Sequence, residues 1–136
     1  MDERGRIPLP PIYRDVFREG IVLSQGHPDA CLRVYTRSAF EQQASEYTAE
    51  SALTQRGRDL RRAFFGATRH ADLDAQNRVL IPGQLRQYAG LEKQILVIGV
   101  GEYLEVWDPE RWEEEQSRIM STIAATMEAS TERQRL

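Results

Sequence analysis

Two stretches of this chain spell one pattern 72 residues apart. Asp2-Glu3-Arg4-Gly5-Arg6-Ile7-Pro8-Leu9-Pro10 and Asp74-Ala75-Gln76-Asn77-Arg78-Val79-Leu80-Ile81-Pro82 both read Asp-x-x-x-Arg-aliphatic-x-aliphatic-Pro. The same offset carries Arg14 onto Arg86, Leu32 onto Leu104, Val34 onto Val106, Tyr35 onto Trp107 and Phe40 onto Trp112. A repeat of this length means two copies of one folding unit, so any site in one half is expected in the other.

Each copy predicts the same elements. Ile7 and Leu9, like Val79 and Ile81, mark a short strand stopped by Pro10 or Pro82. A helical turn follows at 12–17 and at 84–89, because proline is tolerated where a helix begins. Gly20 and Gly90 are expected to end these helices. Ile21-Val22-Leu23 and Ile95-Leu96-Val97-Ile98 then each enter a glycine-containing turn. Each returns through an alternating strand, Leu32-Arg33-Val34-Tyr35 or Leu104-Glu105-Val106-Trp107, which is a hairpin pattern. Thr36 and Asp108 sit where a helix cap belongs.

Each half therefore reads strand, short helix, hairpin, helix. The fold class is α+β with a mainly β core. The expected organisation is a first repeat at 1–40, a helical connector at 41–68, a second repeat at 69–112 and a C-terminal helix and tail at 113–136. Leu53, Leu60 and Phe64 are candidates for the connector's apolar side, and Gly57 should weaken it by about 1 kcal/mol. Ile119, Ile123 and Met127 form an apolar stripe on the last helix. Residues 129–136 are expected to fray.

Composition narrows the chemistry. With 40% hydrophobic and 29% charged residues the chain can bury a core. The single cysteine, Cys31, excludes an internal disulfide and reads as a buried small hydrophobe. No apolar run reaches the length of a membrane span and the charged start is not a secretory signal, so a cytoplasmic protein is expected. His27 and His70 lack ligand spacing, so neither a metal nor a cofactor is expected. Gly99-Val100-Gly101 lacks the third glycine of a dinucleotide fingerprint and reads as a hairpin turn. No nucleophile stands in a catalytic context, so an enzyme is not expected.

The net charge is −3, yet 17 of the 18 cations are arginine. Arginine suits bidentate contact with phosphate or guanine, although codon bias explains the same excess. In the repeated motif, Gly5 and Asn77 occupy matching positions and both tolerate the left-handed backbone of a tight turn. Aspartate there can orient the guanidinium, leaving its other N–H groups for a phosphate or base edge. A self-contained turn whose Asp and Arg merely pair is the competing reading. Arg14 and Arg86 recur in register and stand as contacts for DNA or for a neighbouring subunit. Arg56, Arg58, Arg61 and Arg62 form either a phosphate-contacting cluster or a solvated face.

The repeated Asp-x-x-x-Arg-aliphatic-x-aliphatic-Pro, the hairpin with Gly26 and Cys31-Leu32, and Arg86-Gln87-Tyr88-Ala89-Gly90-Leu91 resemble the MraZ family. So do Ile98-Gly99-Val100-Gly101 and Glu105-Val106-Trp107 through Arg111-Trp112. The resemblance spans roughly residues 2–115. It implies a double-split (swapped-hairpin) β-barrel of the AbrB-like group, built from the two tandem repeats, and a ring-shaped homo-oligomer. It also implies bacterial origin and sequence-specific binding to short direct repeats in double-stranded promoter DNA of the division and cell-wall gene cluster, in the cytoplasm at the nucleoid. No membrane or small-molecule substrate is implied. The family's DNA-contacting motif falls on Asp2, Arg4, Gly5 and Arg6 and on Asp74, Gln76, Asn77 and Arg78.

The chain departs from the family twice. Members carry a strand ahead of the first Asp, and here Asp2 follows Met1, so an incomplete first half-barrel with an exposed edge is expected. Asn77 replaces the usual glycine and adds a side chain where DNA approaches. The alternative function is an antitoxin-like or other protein-interaction module with a swapped-hairpin barrel.

Overall fold

The computed structural model describes residues 1–135, with side chains through Ala129. The first repeat contributes β1 (Arg6–Pro8), α1 (Pro11–Arg14), β2 (Ile21–Gln25), β3 (Leu32–Thr36) and α2 (Arg37–Tyr47). After α3 (Gln55–Phe65) and β4 (Arg69–Ala71), the second contributes β5 (Arg78–Leu80), α4 (Gly83–Ala89), β6 (Leu96–Gly99), β7 (Leu104–Trp107) and α5 (Pro109–Arg135).

The strands form two sheets. β1 and β5 make an antiparallel ribbon, and the other five run in the order β4-β2-β3-β7-β6, every neighbour antiparallel. The registers expose the internal symmetry. Ile7 faces Val79 in the ribbon and Arg33 faces Glu105 in the large sheet. Both are pairs of repeat-equivalent residues, so one pseudo-two-fold axis passes through both sheets. Among the described residues there is no single closed barrel; the fold is α+β with a mainly β core.

Two apolar layers hold it together. Between the ribbon and one face of the large sheet lie Ile7, Leu9, Leu23, Leu32 and Val34 with Val79, Ile81, Leu104 and Val106, all almost fully buried. Much of this core is paired by the repeat, as with Leu9 and Ile81 or Val34 and Val106. Met1 and Leu73, each one residue ahead of a repeated aspartate, pack against the same core. On the other face Val22, Tyr35, Phe40 and Phe64 form a second cluster under α2 and α3. Phe64 stacks between Phe40 and Tyr47, with centroids 5.1 and 4.2 Å away. Trp107 and Trp112 approach to 5.6 Å in the second repeat, matching Tyr35 and Phe40 at 6.0 Å in the first.

The caps behave as the sequence implies. Thr36 Oγ1 accepts from the Ala39 amide and Asp108 Oδ2 from the Arg111 amide. Gly90 closes α4 in the left-handed region at φ 64°. Gly20 does not play that part: α1 ends at Arg14, and Gly20, at φ 130°, instead leads into β2. The connector is a helical hairpin and not one helix. Its turn at 48–54 leaves Leu53 exposed, and only Phe64 of the expected apolar side is buried. Gly57 is a requirement there and not a weakness, since a Cβ on it would lie 1.8 Å from the Ser51 carbonyl oxygen.

The helix α5 runs through Arg135, past the point where fraying was expected, because residues 110–135 contain neither glycine nor proline; Leu136 lies outside the described residues. Ile123 and Met127 on its stripe are exposed. The two edges of the large sheet are β4 and β6. β4 covers the outer side of β2, whereas β6 has no such neighbour among the described residues. Leu96, opposite Trp107, is accordingly 37% exposed, while its counterpart Val22, opposite Tyr35, is 1% exposed.

Candidate nucleic-acid interface

The two Asp-x-x-x-Arg segments fold into one and the same turn. In the first, Asp2 Oδ1 accepts from the amides of Arg4 (3.0 Å) and Arg6 (2.8 Å), and Oδ2 accepts from Arg6 Nε at 2.7 Å. In the second, Asp74 Oδ1 accepts from the amides of Gln76 and Arg78, both at 2.9 Å, and Oδ2 from Arg78 Nε at 3.1 Å. Backbone bonds close each turn, from Gly5 N to Asp2 O and from Asn77 N to Asp74 O. The aspartate is needed because its short carboxylate reaches amides two and four residues on. Gly5 (φ 83°) and Asn77 (φ 59°) supply the left-handed corner. The amides of Arg6 and Arg78, foremost, hold the Asp2 and Asp74 carboxyls below the ordinary aspartate range.

The pairing of β1 with β5 sets the turns side by side. Arg78 Nη1 lies 3.5 Å from Asp2 Oδ2, so the second arginine touches both carboxylates. Each aspartate binds its arginine through Nε. Among the described residues the Arg6 Nη groups make no hydrogen bond, and the side chain is 27% exposed. One carboxylate thus both closes the turn and fixes the guanidinium beside it. Arg4, Gln76 and Asn77 complete the surface, and among the described residues no hydrogen bond engages their side chains. Beside the first turn lies an open cavity of about 680 Å³, lined in part by Arg4, Arg6 and Lys93.

Arg14 and Arg86 lie nearby in unlike ways. Arg14 Nε donates to the Leu9 carbonyl at 3.2 Å. Arg86 does not make the equivalent bond to Ile81. Its guanidinium crosses onto the first repeat's turn, where Cζ stands 2.7 Å from the place a Gly5 Cβ would take, and its Nε is buried without a partner. The arginine cluster of α3 is not at this site. Arg58 donates to the Ala52 and Leu53 carbonyls, Arg61 to those of Thr48 and Glu50, and Arg56 pairs with Glu50. These arginines fasten the 48–54 turn.

Sequence reading missed one buried polar group on the pseudo-two-fold axis. Glu105, 8% exposed, accepts from Trp107 Nε1 at 3.1 Å and lies 3.6 Å from Cys31 Sγ. Its cross-strand partner Arg33 bonds Tyr35 Oη and lies over the Tyr103 ring. The signal was present, because the offset that aligns the repeats puts Arg33 on Glu105, opposite charges in an otherwise apolar strand. Burial and the Glu105 carboxylate raise the Cys31 pKa. Among the described residues no acidic, His or Cys group has the geometry to hold a metal, and no helix is long and apolar enough to cross a membrane.

A tandem-repeat α+β protein that displays two adjacent Asp-anchored arginine turns on a β-ribbon is the class these features define. The family described as "MraZ protein, putative antitoxin-like" matches twice, over residues 1–63 and 64–134. A relative from Dehalococcoides mccartyi is 36% identical over 116 residues, covering 85% of this chain and 82% of its own. One from a Nocardioides species is 39% identical over 124 residues, covering 91% and 85%. One from Clavibacter michiganensis is 34% identical over 128 residues, covering 94% and 89%. All three are named transcriptional regulator MraZ. The chain belongs to the MraZ family.

Proposed function

We propose that this protein is a sequence-specific, DNA-binding transcriptional regulator whose two Asp-anchored turns contact double-stranded promoter DNA. The observation that carries the reading is the paired turn geometry: a carboxylate fixes each arginine through Nε, and among the described residues both Nη groups of Arg6 and Nη2 of Arg78 are left without a hydrogen bond. A fixed guanidinium fork suits guanine O6 and N7 or a phosphate, and holding it in advance lowers the entropy lost on contact. Arg6 and Arg78 are the principal contacts. Asp2 and Asp74 orient them, Gly5 and Asn77 shape the turns, and Arg4 and Gln76 add flanking contacts. Arg14 and Arg86 are further contacts to DNA or to a neighbouring subunit, and Arg86 also packs against the first turn. The net charge of −3 is no obstacle, because the local field at the turns governs contact.

On this reading residues 1–40 and 69–112 are two DNA-reading modules of a double-split barrel, joined by the 41–68 connector and followed by the 113–136 segment. A ring-shaped homo-oligomer in the cytoplasm, at the nucleoid, presents many such turns to short direct repeats upstream of division and cell-wall genes. Multivalency then raises affinity without requiring strong single contacts. The relatives' shared name supports the regulator role.

The test is binding of the full chain to a fluorescent promoter fragment with tandem short repeats, against a scrambled fragment, over a salt series. Preferential binding that weakens with salt and is lost in Arg78→Ala is expected. Equal binding to both fragments contradicts the reading.

A further inference from the structure

The two turns share a backbone but not a surface. In the first, the corner residue is Gly5, which is buried because the Arg86 guanidinium occupies the space of a side chain there. That surface carries two arginines, Arg4 and Arg6, among the carboxylates of Asp2, Glu3 and Glu92, with no amide side chain and with Arg86 packed over the Gly5 corner. In the second, the corner residue Asn77 carries a side chain and is partly exposed, and Arg14 stays on the Leu9 carbonyl. Gln76 stands where Arg4 stands. The second surface is therefore one arginine flanked by two primary amides, and among the described residues no hydrogen bond occupies either amide.

The corner holds Asn77 firmly. Its N–H donates to the Asp74 carbonyl at 3.0 Å and its own carbonyl accepts from Leu9 N at 3.3 Å. A carboxamide on a fixed backbone has a defined chemistry toward a base edge. Its C=O and NH2 match adenine N6 and N7, as an arginine fork matches guanine O6 and N7. The two-fold-related placement of the turns on the ribbon would suit two like half-sites. The chemistry at the corners does not.

We infer that the two turns read different base pairs, with the first turn specifying guanine and the Asn77 amide, flanked by Gln76, specifying an adenine beside the guanine taken by Arg78. This rests on the DNA-binding reading above and assigns base preference within it.

The test exploits the repeat. Gln76→Arg/Asn77→Gly gives the second turn the chemistry of the first, and glycine accepts the φ of 59° at position 77, so the turn is retained. Preferred sites for the wild type and this variant are selected from a randomised duplex pool, and affinities are then measured on single base-pair changes. The wild type is expected to favour one A·T pair over G·C by about tenfold, a preference that falls to about twofold or less in the variant while guanine preference persists. Identical preferences in both proteins overturn the inference and leave the DNA-binding reading standing. Enrichment of no sequence by the wild type overturns both.

Discussion

The Gly57→Ala substitution sets helix propensity against packing, and the structure decides the sign. Propensity alone favours alanine inside α3 by about 1 kcal/mol. Gly57, however, lies against the turn that precedes its own helix. The new Cβ would stand 1.8 Å from the Ser51 carbonyl oxygen, which must retreat by about 1.6 Å to reach ordinary contact at 3.4 Å. That oxygen anchors Thr54, through Oγ1 at 3.0 Å and the amide at 3.3 Å, while Thr54 caps α3 through the Gly57 amide at 2.9 Å. Loss of the cap removes about 1 kcal/mol and loss of the two bonds at Ser51 about 1 kcal/mol each. Set against the propensity gain, the net is a destabilisation of about 2 kcal/mol, or roughly 7 °C in Tm for a chain this size. Thermal unfolding followed by circular dichroism measures it. The consequence reaches the candidate interface, because α3 leads through β4 to Asp74. A Tm unchanged or raised would refute the packing argument and restore the propensity one.

Acid unfolding should respond to Asp2→Asn with Asp74→Asn. Both carboxyls titrate lower in the folded chain than in the unfolded one, so their contribution is present above the unfolded value near 3.8 and is lost as pH falls through the folded values. The double variant is expected to flatten the dependence of stability on pH in that acid window, and an unchanged slope would contradict it. Tyr88→Phe, which removes a hydroxyl packed on the Gly26 and Asp29 carbonyls, should cost about 1 kcal/mol in a denaturant titration. Cys31, fully buried with its pKa raised, should resist thiol reagents at pH 8 in the native protein and react once denaturant unfolds it. Rapid native labelling would show that the hairpin it anchors opens readily.

Much of this fold was legible because the chain states its pattern twice. The prolines at 10 and 82 and the alternating aliphatics beside them located the ribbon, and the aligned pairs Leu32/Leu104 and Val34/Val106 located the core. Local turn chemistry was equally readable, since Asp, a left-handed corner and Arg define contacts within five residues. What stayed hidden depended on contacts distant in sequence. Gly57 looked like a helix defect because nothing in its neighbourhood announces that the Ser51 carbonyl folds back onto it. The α3 arginines could be read only as a phosphate cluster or a solvated face, because the acceptors of Arg58 and Arg61 are main-chain carbonyls, which composition does not mark. Arg86 was aligned with Arg14 correctly, yet the two diverge because the residue across the axis is glycine in one case and asparagine in the other.

The central claim is that a carboxylate-held guanidinium fork, and not positive charge alone, gives this protein its preference among DNA sequences. Arg78→Lys tests it most directly, since lysine keeps the charge and loses the planar fork. Anisotropy titrations would compare the tandem-repeat duplex with its scrambled counterpart across a salt series. The account predicts that Arg78→Lys still binds both duplexes with a salt dependence near that of the wild type and loses most of the discrimination between them. Discrimination equal to that of the wild type would contradict it.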